Sequence, residues 1–149
     1  MVPTTANLVC ALALALWLAA PPGARADALD PRLEAATQLY REEGAEKALP
    51  VFEKLASEFA RGSRTRDHAA ALHYMGECRW RISDFAEAPQ SLERALRLER
   101  ASGDRLGEGK TLNVLGLLSW DEGNYDQAIT DLREAGAIAR AVGDKKLEG

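Results

Sequence analysis

Residues 103–111, GDRLGEGKT, come close to a phosphate-binding loop, G-x-x-x-x-G-K-[ST], whose backbone N–H groups and lysine would cradle a nucleotide. The first glycine is out of place, because the position five before Gly109 is Asp104. No strand-like run precedes the segment, and GDKKLEG at 143–149 repeats its opening, so it reads as a linker running into a helix. Other reactive side chains are no better arranged. His68 and His73 are five apart and point to different sides of a helix. His73 and Glu77 share a face, but two ligands without a third make no metal site, and they read as a solvated pair. Cys78 reads as a small buried filler, since a reactive thiol needs a cationic, exposed setting. No Ser/His/Asp set is evident. The expectation is a chain with no catalytic residue, metal or cofactor.

A different constellation is better ordered. Tyr40, Trp80 and Trp120 recur at intervals of forty, each near the end of a helical pattern. Leu33, Thr37 and Arg41, then His73, Glu77 and Arg81, then Asn113, Leu117 and Asp121 flank them at helical spacing. An aromatic ladder with flanking charges suits an extended peptide or a helix, because rings give large contact area at low entropy cost. The other reading is that the rings only pack between adjacent units.

The interval of forty comes from an internal repeat. Residues 69–108 laid on 109–148 without a gap share eleven identities, among them Gly76/Gly116, Trp80/Trp120, Ala88/Ala128, Leu92/Leu132, Ala95/Ala135 and Gly103/Gly143. Residues 29–68 form a degraded first copy, with Ala36 where the later units have glycine. Each unit holds two helical patterns and a turn. Gly76 and Gly116 let the first helix approach the second closely, with Ala88 and Ala128 as the matching small surface. Phe85, Tyr125, Leu92 and Leu132 are expected to fill the space around that contact. The second helix of the middle unit is expected over Phe85 to Ala101, and Pro50 and Pro89 fall inside second helices, where each removes a backbone bond and invites a kink. Helix pairs of this kind cannot bury both faces alone, so neighbours stack into a solenoid whose first helices line a concave groove.

Leu115-Gly116, Gly123, Tyr125, Ala128, Leu132 and Ala135 resemble the tetratricopeptide repeat (TPR) pattern. The spacing of forty, with its Gly-Asp step between units, is similar to the long-helix branch of that family. That branch includes the kinesin light chains, Pins-type polarity adaptors and the arrays of bacterial caspase-like (CHAT) proteins. The resemblance implies an all-α, right-handed α-solenoid of about three helix-turn-helix repeats: 29–68, 69–108 and 109–148, with a further repeat beginning at 145–149. It implies a non-catalytic scaffold that binds a protein or peptide partner in its groove, through Tyr40, Arg41, His73, Glu77, Trp80, Arg81, Asn113, Leu117, Trp120 and Asp121. The alternative is that the chain is the recognition segment of a larger enzyme or signalling protein, such as a CHAT-type protease, with its catalytic part beyond residue 149. Pins-type relatives hold peptides with groove asparagines; Glu77 and Leu117 stand at one such position, so that binding mode does not carry over.

Residues 1–26 differ from the rest. Leu8 to Ala20 is apolar, Pro21, Pro22 and Gly23 break any helix, and Ala24-Arg25-Ala26 offers a small-x-small cleavage pattern. The expectation is a signal segment: an exported protein, periplasmic or extracellular, after cleavage near Ala26, or a membrane-anchored one if uncleaved. Over the whole chain, 46% hydrophobic and 28% charged residues fit a packed globular protein, and a net charge of −4 gives no reason to expect nucleic acid. The last helical pattern carries Ala128, Leu132, Ala135, Ile138, Ala139 and Val142, a stripe broader than one partner helix would cover. Self-association through it is a further expectation.

Overall fold

Asp30 opens the first helix. Its carboxylate accepts the Arg32 N–H at 3.0 Å, and Pro31 takes the first helical turn, where its missing N–H has no intrahelical partner to lose. From there the chain, seen in a computed structural model that describes residues 28–143, runs through six helices and no strand among the described residues. They are α1 (Pro31–Glu43), α2 (Ala45–Ala60), α3 (Thr65–Arg81), α4 (Ala88–Ser102), α5 (Arg105–Asp121) and α6 (Tyr125–Val142). Each odd helix packs on the even helix that follows. Helix α2 also meets α3, and α4 meets α5, while α1, α3 and α5 touch in succession. The result is three helix-turn-helix units stacked as a short solenoid.

Within the later units the close approach is set by glycine. A methyl group on Gly76 would come within 2.6 Å of Leu92 Cγ and 3.2 Å of the Ala88 carbonyl oxygen. On Gly116 it would meet Leu132 Cγ at 2.7 Å and the Ala128 carbonyl at 3.3 Å. Leu92 is fully buried because α5 covers it, whereas Leu132 is half-buried.

Three local expectations are corrected. Helix α4 begins at Ala88, not Phe85, which puts Pro89 in the first turn rather than the interior. There its missing N–H breaks no bond, and no kink is needed. Pro50 does lie inside α2. Phe85 and Tyr125 do not fill the helix crossing: both are exposed, and the buried residues there are Ala88, Leu92 and Ala128. His73 is no solvated member of a pair with Glu77, for it is only 8% exposed. The turn before α4 is also unusual. Ser83 sits at φ 63° where Gly123 sits at 81°, a left-handed conformation that costs a side-chain-bearing residue roughly 1–2 kcal/mol.

The sequence-based localisation is corrected as well. No helix among the described residues is long and apolar enough to cross a membrane, so the membrane-anchored form finds no support in them. The segment read as an export signal, residues 1–26, and the fourth-repeat start at 145–149 lie outside the described residues.

The two junctions between units differ chemically. At the first, Phe59 and Ala71 join an apolar cluster with Phe52, Leu55, Leu72 and Met75. At the second, the residues forty further on are Glu99 and Thr111. Thr111 donates its hydroxyl to Glu99 Oε1 at 2.9 Å and lies 2.9 Å from His73 Nδ1. With Thr111 donating to Glu99, His73 Nδ1–H supplies the second bond; with a protonated Glu99 donating instead, the Thr111 proton turns to Nδ1. Glu99 is buried and its Oε2 has no hydrogen-bond partner. Burial pushes its carboxyl up to about 7, aided by Asp104 and Glu108 and opposed by the Thr111 hydrogen bond and Lys110. A neutral carboxyl leaves an uncharged oxygen unpaired, which is less costly than a buried charge. Burial pushes His73 the other way, below its ordinary value, against the pull of Glu77.

Two outcomes follow for stability. Gly76→Ala should cost about 1–3 kcal/mol, because Leu92 is enclosed. Gly116→Ala should cost less, since Leu132 can swing outward and alanine gains about 1 kcal/mol of helix propensity. Urea unfolding of the two variants checks the order. For Glu99, the folded chain holds a proton that the unfolded chain releases above its ordinary value of 4.5. Its contribution is therefore full below pH 4.5 and is lost as pH rises towards 7. Glu99→Gln should flatten that fall and gain up to about 3 kcal/mol at pH 8. Denaturant midpoints from pH 4 to 8, compared with the parent chain, measure it.

Candidate functional site

The first helices α1, α3 and α5 carry the residues singled out by the repeat, but the fold uses them in two ways. Some are spent on holding neighbouring units together. Tyr40 donates its hydroxyl to Glu77 Oε1 at 3.0 Å, tying α1 to α3. Burial, with the Glu77 charge beside it, pushes that phenol up to about 12, so it stays a donor. Trp80 donates its indole N–H to Asp121 Oδ2 at 2.8 Å, tying α3 to the end of α5. His73 is turned into the second junction by Thr111, and its Nε2 stands 3.8 Å from Glu77. Glu77 is thus faced by Tyr40, His73 and Arg81, the last at 3.7 Å.

Others stay open to solvent. Arg41 is exposed on α1, and Arg81 on α3, its guanidinium 4.9 Å above the Trp80 ring. Asn113 is half-buried on α5, and Leu117 and Trp120 are 37% and 55% exposed. Trp120 stacks edge-on against Tyr125, with centroids 5.1 Å apart. The column of aromatics is therefore not uniform. Two of its members are occupied by acids of the next unit, and the third is uncovered.

An open cleft of about 390 Å³ lies between α1 and α3, lined by Leu33, Thr37, Arg41, Ala70 and Tyr74 together with Leu29, Asp30, Pro31 and Glu34. Tyr74 and Ala70 were missed by a search for repeating polar and aromatic types. Tyr74, whose ring stacks on Phe52 at 5.1 Å, left no repeating signal, because the other units carry Glu34 and Val114 at its place. The Glu99–Thr111 pair was also missed; its signal was an acid where the other units have Phe59 and Ala139.

The phosphate-loop look-alike is the start of α5. Asp104 caps that helix, accepting the Gly107 N–H at 3.0 Å, and pairs with Arg66 at 3.2 Å. An anion would meet a carboxylate already seated on those N–H groups. Cys78 is fully buried, and burial pushes its thiol up to about 12, far from a reactive thiolate. Among the described residues no group of three or more His, Cys, Asp and Glu is placed to hold a metal ion.

A comparison with curated proteins gives no match. The family model described as tetratricopeptide repeat matches residues 67–141, half of the chain. That span covers α4 and α5 and nearly all of α3 and α6, the units with the glycine crossing. The helix-turn-helix stacking and this match agree: the chain belongs to the tetratricopeptide repeat family.

Proposed function

We propose that the chain is a protein-interaction module that holds a segment of a partner protein along the face formed by α1, α3 and α5. Repeat domains of this type are generally associated with protein–protein interaction, and the chemistry of this face supports a particular kind of segment. The observation that carries the reading is the cleft between α1 and α3, with Arg41 on its wall. Arg81 stands exposed one repeat further along. Guanidinium groups at equivalent positions of successive units favour carboxylates, since each presents a planar fork of donors. Leu33, Ala70 and Tyr74 give the cleft an apolar floor. The segment that fits is acidic, with one apolar side chain for the cleft. Asn113 on α5 supplies an amide for its backbone.

Peptides selected from a random display library on the full chain should be enriched in Asp and Glu beside an aliphatic or aromatic residue. Their affinity should fall about tenfold or more in Arg41→Glu and in Arg81→Gln, with thermal unfolding nearly unchanged because both side chains are exposed and glutamine sets no like charge beside Glu77. Salt should weaken the binding. Selected peptides indifferent to both variants would place the interaction elsewhere.

A further inference from the structure

Leu33, Phe59 and Ala71 are buried at the first junction; the residues forty further on, at the second, are His73, Glu99 and Thr111. An apolar trio serves the packing, so the repeat has no need of the polar one, whose burial costs desolvation. The polar three form a chain. Thr111 Oγ1 lies 2.9 Å from Glu99 Oε1 and 2.9 Å from His73 Nδ1, and His73 Nε2 stands 3.8 Å from Glu77 Oε2. Glu77 belongs to the face formed by α1, α3 and α5, where Tyr40 and Arg81 meet its other oxygen. Hydrogen bonds thus lead from the interior to the face. Glu99 is 2% exposed and its Oε2 has no partner. A proton on Oε2 would be an orphaned buried donor, so the neutral carboxyl carries it on Oε1 and donates to Thr111. Thr111 then gives its own hydrogen to Nδ1, and the neutral ring keeps its hydrogen on Nε2, towards Glu77. Without the Glu99 proton each bond reverses. Thr111 donates to Oε1, Nδ1–H donates to Thr111, and Nε2 presents a lone pair to Glu77.

We infer that Glu99, Thr111 and His73 form a proton relay through which the face responds to pH: the interior acid sets the tautomer of His73, and the tautomer sets how Glu77 is held. When Glu99 ionises, its Oε1–H bond breaks as a Thr111 O–H bond forms. The former Thr111 hydrogen passes to Nδ1, and the Nε2 hydrogen leaves to solvent. One proton is lost in all, and the ring is neutral before and after. Glu99 is faced by Asp104, Glu108 and Lys110 from α5 and its cap, with Glu108 already paired to Arg100 and Arg105. Glu134 of α6 is held by Arg100. His73 is faced by Glu77 and Lys110, and Glu77 by Tyr40 of α1 and Arg81. Burial holds His73 below its ordinary value of 6.5 and pushes Glu99 up to about 7, so Glu99 is the member that changes between pH 6.5 and 8. With Nε2–H towards it, Glu77 is held by His73 and Tyr40, and Arg81 is freer to take an incoming carboxylate. Facing a lone pair instead, Glu77 leans on Arg81. This use of the relay rests on the acidic-segment reading of the face; the relay itself does not.

Nitrogen magnetic resonance of the full chain reads the tautomer directly, with His73 told apart from His68, the other histidine, through His68→Gln. The His73 ring hydrogen should sit on Nε2 at pH 6.5 and on Nδ1 at pH 8, and the Glu77 carboxyl resonance should move with the same midpoint. In Glu99→Gln and in Thr111→Val the hydrogen should stay on one nitrogen throughout. One tautomer at both pH values in the parent chain overturns the relay. So does a doubly protonated ring at pH 6.5, or an exchange that survives Thr111→Val. A Glu77 resonance that stays fixed while the tautomer changes overturns the link to the face. Acidic peptides selected on the full chain should bind several-fold tighter at pH 6.5 than at pH 8, and alike at both in Thr111→Val. Equal affinities in a parent chain whose tautomer exchanges overturn the regulation. Failure to select any acidic peptide, with the tautomer still exchanging, counts against the reading of the face and leaves the relay in place.

Discussion

Leucine laid over glycine is the contact on which this array depends. Gly76 and Gly116 offer no side chain, and Leu92 and Leu132 occupy the space that a methyl group would need. The same leucine has a second duty. Leu92 belongs to the glycine of its own unit on one side and to Val114 and Leu118 of the next on the other. Crossing within a unit and stacking between units are thus one packing problem, solved by one side chain. Interiors packed to this density do not deform smoothly, so displacement of Leu92 is felt in both directions along the chain.

Much of this was legible in the sequence. Glycine, alanine and leucine at matched positions specify a close crossing whatever surrounds them, because the constraint is steric and local. The start of α1 was legible for a similar reason: Asp30 and Pro31 act on their own backbone. What escaped depended on distant partners. Pro89 reads as an interior proline only if α4 begins at Phe85, and the helix avoids the conflict by starting three residues later. His73 reads as a groove residue until Thr111, on another unit, draws it inward. Trp80 and Trp120 are the same residue at the same register, yet one is bonded and the other open. Asp121, forty-one residues after Trp80 and on the next unit, is what bonds the first of them, and no spacing within one unit shows it.

Charge is handled differently at the edges and in the interior. At the start of the array the Asp30 N–H donates to Asp67 at 2.8 Å, Arg64 pairs with Asp67, and Arg32 bridges Asp30 and Glu58. Burial alone would raise the Asp30 carboxyl, but its hydrogen bonds and the charges of Arg32 and Arg64 hold it below the ordinary range. Glu108, also buried, is paired with Arg100 and Arg105. Glu99 has no such cation in hydrogen-bond contact, and neutralisation is the remaining way to keep a carboxyl inside.

The unlike junctions have a consequence for registration. A one-residue slip of a helix moves its atoms about 1.5 Å along the axis. Methyl groups re-seat after such a slip with modest loss, since dispersion is not directional. A hydrogen bond of 2.9 Å does not survive it. The first junction has an apolar interior with its hydrogen bonds at the two ends, Asp30 to Asp67 and Tyr40 to Glu77, whereas the second adds a hydrogen-bonded layer inside, Glu99, Thr111 and His73, to the Trp80–Asp121 bond at its rim. The polar layer therefore acts as a vernier: it admits one setting of α5 against α3, and the curvature of the face shared by these helices inherits that setting.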